Sequence, residues 1–272
     1  MTTRPSGRSP AGASGRAIFR LHTEATLRRA GLKHIAGVDE VGRGCWAGPV
    51  YAAAVVLPAS CYRNRRLLAE VIDSKLLSAA RRERLAADIL RLAAGAAVAW
   101  AEAPVIDQLN ILGATRLVMR AAVDCLSGGP LFATPAGVAG SGVVRLAGGP
   151  MIPDYVLTDA VSLPDLPCPH QAVVRGDRSC LAVAAASIVA KVIRDAEMAR
   201  RHDLFPHLAL ARNKGYGTAA HARALRATGL TPLHRRSFAP MKYYLGLRDH
   251  VSGALPKPPD EPLDEPLASD PR

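Results

Sequence analysis

Two adjacent carboxylates, Asp39 and Glu40, stand in the otherwise apolar segment 36–49, AGVDEVGRGCWAGP, and Gly42, Arg43 and Gly44 follow almost at once. Ionised carboxylates in an apolar strand are costly unless something positive offsets them, and two neighbours add mutual repulsion. A divalent cation offsets both, and hard oxygen donors favour Mg²⁺ or Mn²⁺. Two further acids have the same character: Asp159 ends the apolar run YVLT at 155–158, and Asp177 follows VVRG at 173–176. Each alone reads as a turn or cap acid, and Asp177 could simply precede a helix starting at Ser179. Together they are four acids at the ends of segments that a sheet can gather. Four such carboxylates can hold two divalent ions about 3.5–4 Å apart, the clamp used for in-line displacement at phosphate.

Strand geometry sends neighbouring side chains to opposite faces, so Asp39 and Glu40 share an ion only where the strand ends or twists. Gly42 and Gly44 directly after them make such an ending plausible. The plain alternative is a surface turn with solvated acids. Gly42, Gly44 and Ala47 also match the relaxed dinucleotide fingerprint, but that motif must open a helix. Residues 48–57 instead carry Pro49, Val50, Val55 and Val56, a strand pattern, and the fingerprint is set aside.

The elements that would position these acids alternate in type. Val and Ile content, with glycines between, marks strands at 34–41 and 48–57. Ser78 caps a helix to about residue 94, with Leu85, Ile89 and Leu92 on one face. A short strand at 97–102 precedes a helix at 110–126, where Ile111, Ala114, Val118, Ala122 and Cys125 recur at helical spacing. Short strands at 154–159 and 171–174 lead to a long helix at 179–201, striped by Leu181, Ala185, Ile188 and Val192, and a further helix covers 218–228. This order implies an α/β fold with a mixed sheet. Residues 127–150 are rich in Gly, Ala and Pro without either period and read as an inserted surface loop. Residues 1–33, with six Arg, one Lys and Glu24 as the single acid, read as a disordered basic arm, and 251–272 as a disordered, acidic, Pro-rich tail. The folded domain is then expected over 34–250.

The 272 residues carry 35 Lys and Arg against 23 Asp and Glu, a formal charge of +12. That balance favours a polyanionic partner, nucleic acid ahead of a membrane surface, because no basic amphipathic anchor stands out. No apolar run approaches the roughly 18 residues of a membrane span. Cys45, Cys61, Cys125, Cys168 and Cys180 form no CxxC pair and read as reduced thiols of a cytoplasmic protein, not a disulfide framework or zinc site. With no heptads or internal repeats, a monomer is the default.

Six motifs occur in order: VDEVGRGCWAGPV at 38–50, DSKLLS at 73–78, VLTDA at 156–160, RGDRSCLAVAAASIVAKVIRDAEM at 175–198, NKGYGT at 213–218 and HRRSFAP at 234–240. In these the chain resembles the ribonuclease HII family, the type 2 ribonucleases H, over roughly residues 34–247. The resemblance implies a ribonuclease H-like fold, a mixed central β-sheet flanked by helices, with a C-terminal helical region. It also implies cleavage on the 5′ side of ribonucleotides in RNA–DNA hybrids and of single ribonucleotides embedded in duplex DNA. Two-metal-ion catalysis would leave a 3′-hydroxyl and a 5′-phosphate.

Residue by residue, the resemblance makes Asp39, Glu40 and Asp159 metal ligands and Asp177 the fourth acid. The cofactor is then Mn²⁺ or Mg²⁺, one ion in the free enzyme and a second with substrate. Gly42, Arg43 and Gly44 match the loop that recognises the ribose 2′-hydroxyl. Tyr216 matches a tyrosine beside the RNA–DNA junction, and Ser187 and Lys191 match a serine and a lysine near the phosphate. Ala160 stands where glycine is common, and Arg175 where lysine is frequent.

The chemistry suits these types. Backbone at Gly42 and Gly44 can approach a hydroxyl closely, and a tyrosine ring can lie flat against a sugar, although a half-buried core tyrosine would look the same. Lys75, Lys214, Arg235 and Arg236 are further basic groups able to hold phosphates, or equally to be solvated charges. Two other readings remain: a junction resolvase-like nuclease of the same architecture, and a non-catalytic nucleic-acid-binding module whose acids only cap turns.

Overall fold

The computed structural model describes residues 22–64, 68, 70–71, 77–129, 140–164 and 166–249. Among them run six strands, β1 (Ile35–Val41), β2 (Val50–Val56), β3 (Gly95–Ala101), β4 (Ser141–Ala147), β5 (Tyr155–Asp159) and β6 (His170–Val173). The helices are α1 (His22–Arg29), α2 (Ala59–Arg63), α3 (Ala79–Leu92), α4 (Ala103–Leu126), α5 (Gly176–Ser179), α6 (Leu181–Leu204), α7 (Leu210–Asn213), α8 (Ala219–Thr228) and α9 (Ala239–Asp249). The strands form one sheet in the order β4-β3-β2-β1-β5-β6. β1 to β4 are antiparallel neighbours, whereas β5 pairs in parallel with β1 and β6, the mixed sheet expected.

β2, VYAAAVV, is buried along its whole length because both faces of the sheet are covered. Ala52, Ala54 and Val56 join the core beneath α4, while Tyr51, Ala53 and Val55 join the core beneath α3 and α6. The contact between α6 and β1 is close. A β-carbon on Gly37 would lie 2.0 Å from the carbonyl carbon of Ala182, so only glycine lets the helix backbone ride on the strand.

Three expectations are corrected. The stretch read as a structureless arm contains α1, and its single acid is buried: Glu24 accepts hydrogen bonds from the amides of Leu181 (2.8 Å) and Ala182 (3.0 Å). A carboxylate there satisfies amides at the N-terminus of α6, where Cys180 offers no side-chain cap. The stretch read as a loop over 127–150 contains β4, which extends the sheet beyond β3. Finally, α4 begins at Ala103 rather than residue 110. Asn110 interrupts it with φ 58° and ψ 171°, and its Oδ1 accepts from the Gly113 amide at 3.0 Å, so the expected start is the cap of the second half. Residues 1–21 and 251–272 lie outside the described residues.

The C-terminal helical region packs Leu225, Met241 and Tyr244 around Trp46. Asp107 of α4 fastens it by accepting from the amides of Arg236 (3.0 Å) and Ser237 (2.8 Å). Among the described residues, no helix is long and apolar enough to cross a membrane.

Candidate active site

Asp39 and Glu40 lie near the end of β1, and Asp159 is the last residue of β5. The parallel register pairs Val38 with Thr158 and goes no further, while β1 stays paired with β2 as far as Val41. Continuing that register by one residue brings Asp39 beside Asp159. β1 has thus ended on its β5 side where the acids begin, which is the ending that two neighbouring carboxylates required. Asp177 enters from the first turn of α5, just after β6, and the amide of Gly176 donates to Asp159 Oδ1 at 2.8 Å. All four acids line one cavity, together with Val41, Ser187, Lys191 and Tyr216.

The cavity is electrostatically crowded. Asp39 is only 5% exposed; burial first, then the charges of Glu40, Asp159 and Asp177, hold its carboxyl well above the usual carboxylate range, against a hydrogen bond with Ser187. The Glu40 amide also donates to Asp39 Oδ1 at 2.8 Å. Lys191, the cation among the lining residues, gives its ammonium to Asp195 Oδ1 at 2.9 Å, and Arg43 pairs with Glu40 at 3.1 Å. Among the described residues, no three His, Cys, Asp or Glu side chains are already drawn together into a group that would hold a metal ion. The donor set nevertheless fits one: four hard oxygen donors share a cavity with one lysine, and a Mg²⁺ or Mn²⁺ site takes only part of its shell from protein, the rest from water and phosphate.

Directly after Val41, residues 42–45 make a turn closed by the Cys45 amide on the Gly42 carbonyl at 3.4 Å, with Gly42 at φ +91°. The Gly215 carbonyl accepts from the amides of Trp46 (2.9 Å) and Ala47 (3.2 Å), which sets Tyr216 beside this turn. Tyr216 is 37% exposed, and the neighbouring Cys45 thiol together with burial pushes its phenol up to about 12, so it stays protonated and able to donate. Ala160, at the position where the resemblance makes glycine common, has φ +54°, a left-handed conformation that disfavours a β-carbon.

The basic residues divide differently from expectation. Arg235 is fully buried and cannot hold phosphate; its guanidinium donates to the carbonyls of Gly42 (2.6 Å), Arg43 (2.7 Å) and Gly48 (2.9 and 3.0 Å). Lys214 donates to the Asp195 carbonyl at 3.3 Å, Arg236 remains exposed, and Lys75 lies outside the described residues. Arg194 was not singled out from sequence. It is fully buried beneath the turn, and its spacing with Ser187, Lys191 and Met198 was the available signal, since these positions share one helix face.

A family model described as Ribonuclease HII matches residues 36–127 and 143–241. The Ribonuclease HII of Chloroflexus aurantiacus is 47% identical over 221 residues, covering 81% of this chain and 93% of that protein. That of Nitrosococcus oceani is 43% identical over 213 residues, covering 78% and 92%. Among solved structures, the ribonuclease H2 of Pyrococcus horikoshii shares the fold with a TM-score of 0.59 at 20% identity, covering 78% of this chain and 97% of its own. The ribonuclease HII in a PCNA complex from Archaeoglobus fulgidus does so at 0.55 and 24%, covering 74% and 93%. A non-catalytic module is thereby set aside: the chain is an endonuclease of the ribonuclease H class and belongs to the ribonuclease HII family.

Proposed function

We propose that this protein hydrolyses RNA–DNA hybrids, and duplex DNA containing a single ribonucleotide, on the 5′ side of the ribonucleotide, leaving a 3′-hydroxyl and a 5′-phosphate. The observation that carries the proposal is the convergence of Asp39, Glu40, Asp159 and Asp177 on one cavity that Tyr216 also lines. Held by Asp39, Glu40, Asp159 and Asp177, Mg²⁺ or Mn²⁺ would supply charge neutralisation at phosphate, a more acidic water and stabilisation of the leaving oxygen. Divalent dependence is supported by the donor set and by a fold neighbour, the Bst ribonuclease HIII, solved with Mn²⁺.

The chain's own groups prepare that site. The Glu40 amide and Ser187 fix the Asp39 carboxylate, and the Gly176 amide fixes Asp159, so little side-chain freedom remains to be lost on ligation. Asp195 holds the Lys191 ammonium at the cavity wall, where a non-bridging phosphate oxygen can reach it. Amides of the 42–45 turn read the 2′-hydroxyl, and the Tyr216 ring lies against the sugar at the junction with its phenol as donor.

The test compares a duplex with one ribonucleotide, an all-RNA/DNA hybrid, plain duplex DNA and a four-way junction, each with Mg²⁺, Mn²⁺ or chelator. Metal-dependent cleavage of the first two alone is expected. Cleavage of the junction, or cleavage in chelator, overturns the proposal.

A further inference from the structure

We propose that Arg235 and Arg194 are positioning residues for ribose recognition: their buried guanidinium groups hold the 42–45 turn with its amides outward and set its place relative to Tyr216. The proposal rests on the reading that this turn meets the 2′-hydroxyl.

Both side chains are fully buried, an expensive place for a cation. Every hydrogen bond they make among the described residues ends on a backbone carbonyl. The carbonyls chosen belong to the turn, to the residues that follow it and to the segment that leads to Tyr216. Arg235 takes Gly42, Arg43 and Gly48 with four N–H···O contacts of 2.6–3.0 Å. Arg194 takes Pro49 through Nε and Lys214 through Nη1, each at 2.9 Å. Lys214 stands two residues before Tyr216, so Arg194 ties the segment carrying the turn to the segment carrying the ring. The Arg194 guanidinium also lies directly against Gly42, where a β-carbon would come within 2.2 Å of Nε.

In a planar trans peptide the carbonyl points opposite to the next residue's N–H. With the Gly42 and Arg43 carbonyls drawn inward onto Arg235, the N–H groups of Arg43 and Gly44 must point away from the protein core. Gly44 has nothing within 4 Å of where its β-carbon would stand, so this outward side is open to a ligand. Two adjacent donors on an open face suit the acceptor lone pairs of a 2′-hydroxyl. A lysine cannot reproduce the clamp, because a guanidinium presents five donors in a fixed plane and an ammonium is a point charge on a flexible stem.

The experiment measures KM for a duplex with one ribonucleotide and Ki for the same duplex in all-DNA form, in the unmodified protein and in Arg235→Lys and Arg194→Lys. Neither constant depends on the fraction of protein that is folded. The unmodified protein is expected to favour the ribonucleotide duplex. In each variant KM rises toward Ki while Ki stays put, shrinking the preference by about tenfold, the equivalent of roughly one charge-assisted hydrogen bond. A preserved ratio overturns the proposal. No preference in the unmodified protein overturns instead the assignment of the turn to ribose reading.

A measurement on the unmodified protein covers the case of variants that do not fold. Hydrogen exchange followed by NMR should show the Arg235 Nε–H protected both free and bound. The Arg43 and Gly44 amides should become protected only with the ribonucleotide duplex. Loss of Arg235 protection on binding contradicts a fixed clamp.

Discussion

Gly42 and the buried guanidinium of Arg194 are packed with no room for a methyl group between them: a β-carbon on Gly42 would fall 2.2 Å from Arg194 Nε. Gly42 also has φ +91°. Two residues further on, Gly44 would meet nothing within 4 Å. The same small substitution therefore separates folding from substrate contact. Gly42→Ala is expected to lower stability by about 1–3 kcal/mol through strain and overpacking. Gly44→Ala should melt like the parent and yet lose roughly tenfold or more in kcat/KM on a one-ribonucleotide duplex, because the methyl stands where the sugar must approach. Equal activity for Gly44→Ala would remove the turn from the substrate.

Asp39→Asn takes one negative charge out of a cluster whose mutual repulsion already raises the Asp39 carboxyl. Its melting temperature should hold or rise, while metal-dependent cleavage falls by roughly 10³-fold or more, as expected when several kcal/mol of transition-state stabilisation is lost. Binding of duplex in a non-cleaving assay should persist, since it rests on basic groups, and should weaken steeply with salt. A variant that cleaves normally would show that Asp39 holds no ion.

His221 and His234 form a buried relay that ends on Tyr216. The Thr231 amide donates to His234 Nδ1 (3.0 Å), so His234 Nε2–H donates to His221 Nε2 (3.0 Å), and His221 Nδ1–H donates to the Tyr216 carbonyl (2.9 Å). That sequence of donors requires both rings neutral. Burial lowers His221. Burial, with the charges of His221 and His207, lowers His234 to about 4. The unfolded chain takes up these protons near pH 6.5, before the folded one does. The relay's contribution is therefore complete above pH 6.5 and drains away as pH falls toward 4, by up to about 3 kcal/mol for His234. Urea melts at pH 7.5 and pH 5 should show this loss, and His234→Asn should flatten the difference between the two.

Glu24→Ala removes the carboxylate that caps α6 and leaves the Tyr62 hydroxyl, now 2.9 Å from Glu24 Oε1, without its acceptor. A loss of about 2–3 kcal/mol is expected from denaturant melts, with Glu24→Gln losing less because its carbonyl oxygen can still accept. An unchanged midpoint would mean that α1 contributes nothing to the fold.

The central strands were legible because they are uninterrupted runs of small and branched apolar residues, and the acids because charge inside such runs is conspicuous. β4 was hidden: SGVVRLA sits among glycines and alanines and, with β3 its one sheet neighbour among the described residues, is half-buried almost throughout, which leaves no two-residue alternation to detect. α1 was hidden by its arginines, although Glu24, the one acid in that stretch, was the residue that mattered. The first half of α4 was missed because Asn110 looked like a beginning, while Pro104 in the first turn marked the true one. Arg235 was legible as a charge but not as a buried one. Its partners are carbonyls almost two hundred positions away in the chain, and no local pattern carries that.

The parallel pairing of β1 with β5 has a consequence for biosynthesis. β1, β2 and β3 are antiparallel neighbours in chain order and can assemble as they emerge from the ribosome, but β5 follows some 120 residues after β1. A nascent chain therefore displays Asp39 and Glu40 as half a site long before Asp159 and Asp177 exist beside them. Hydrolytic competence therefore waits on Asp159 and Asp177, well after the first three strands have been made.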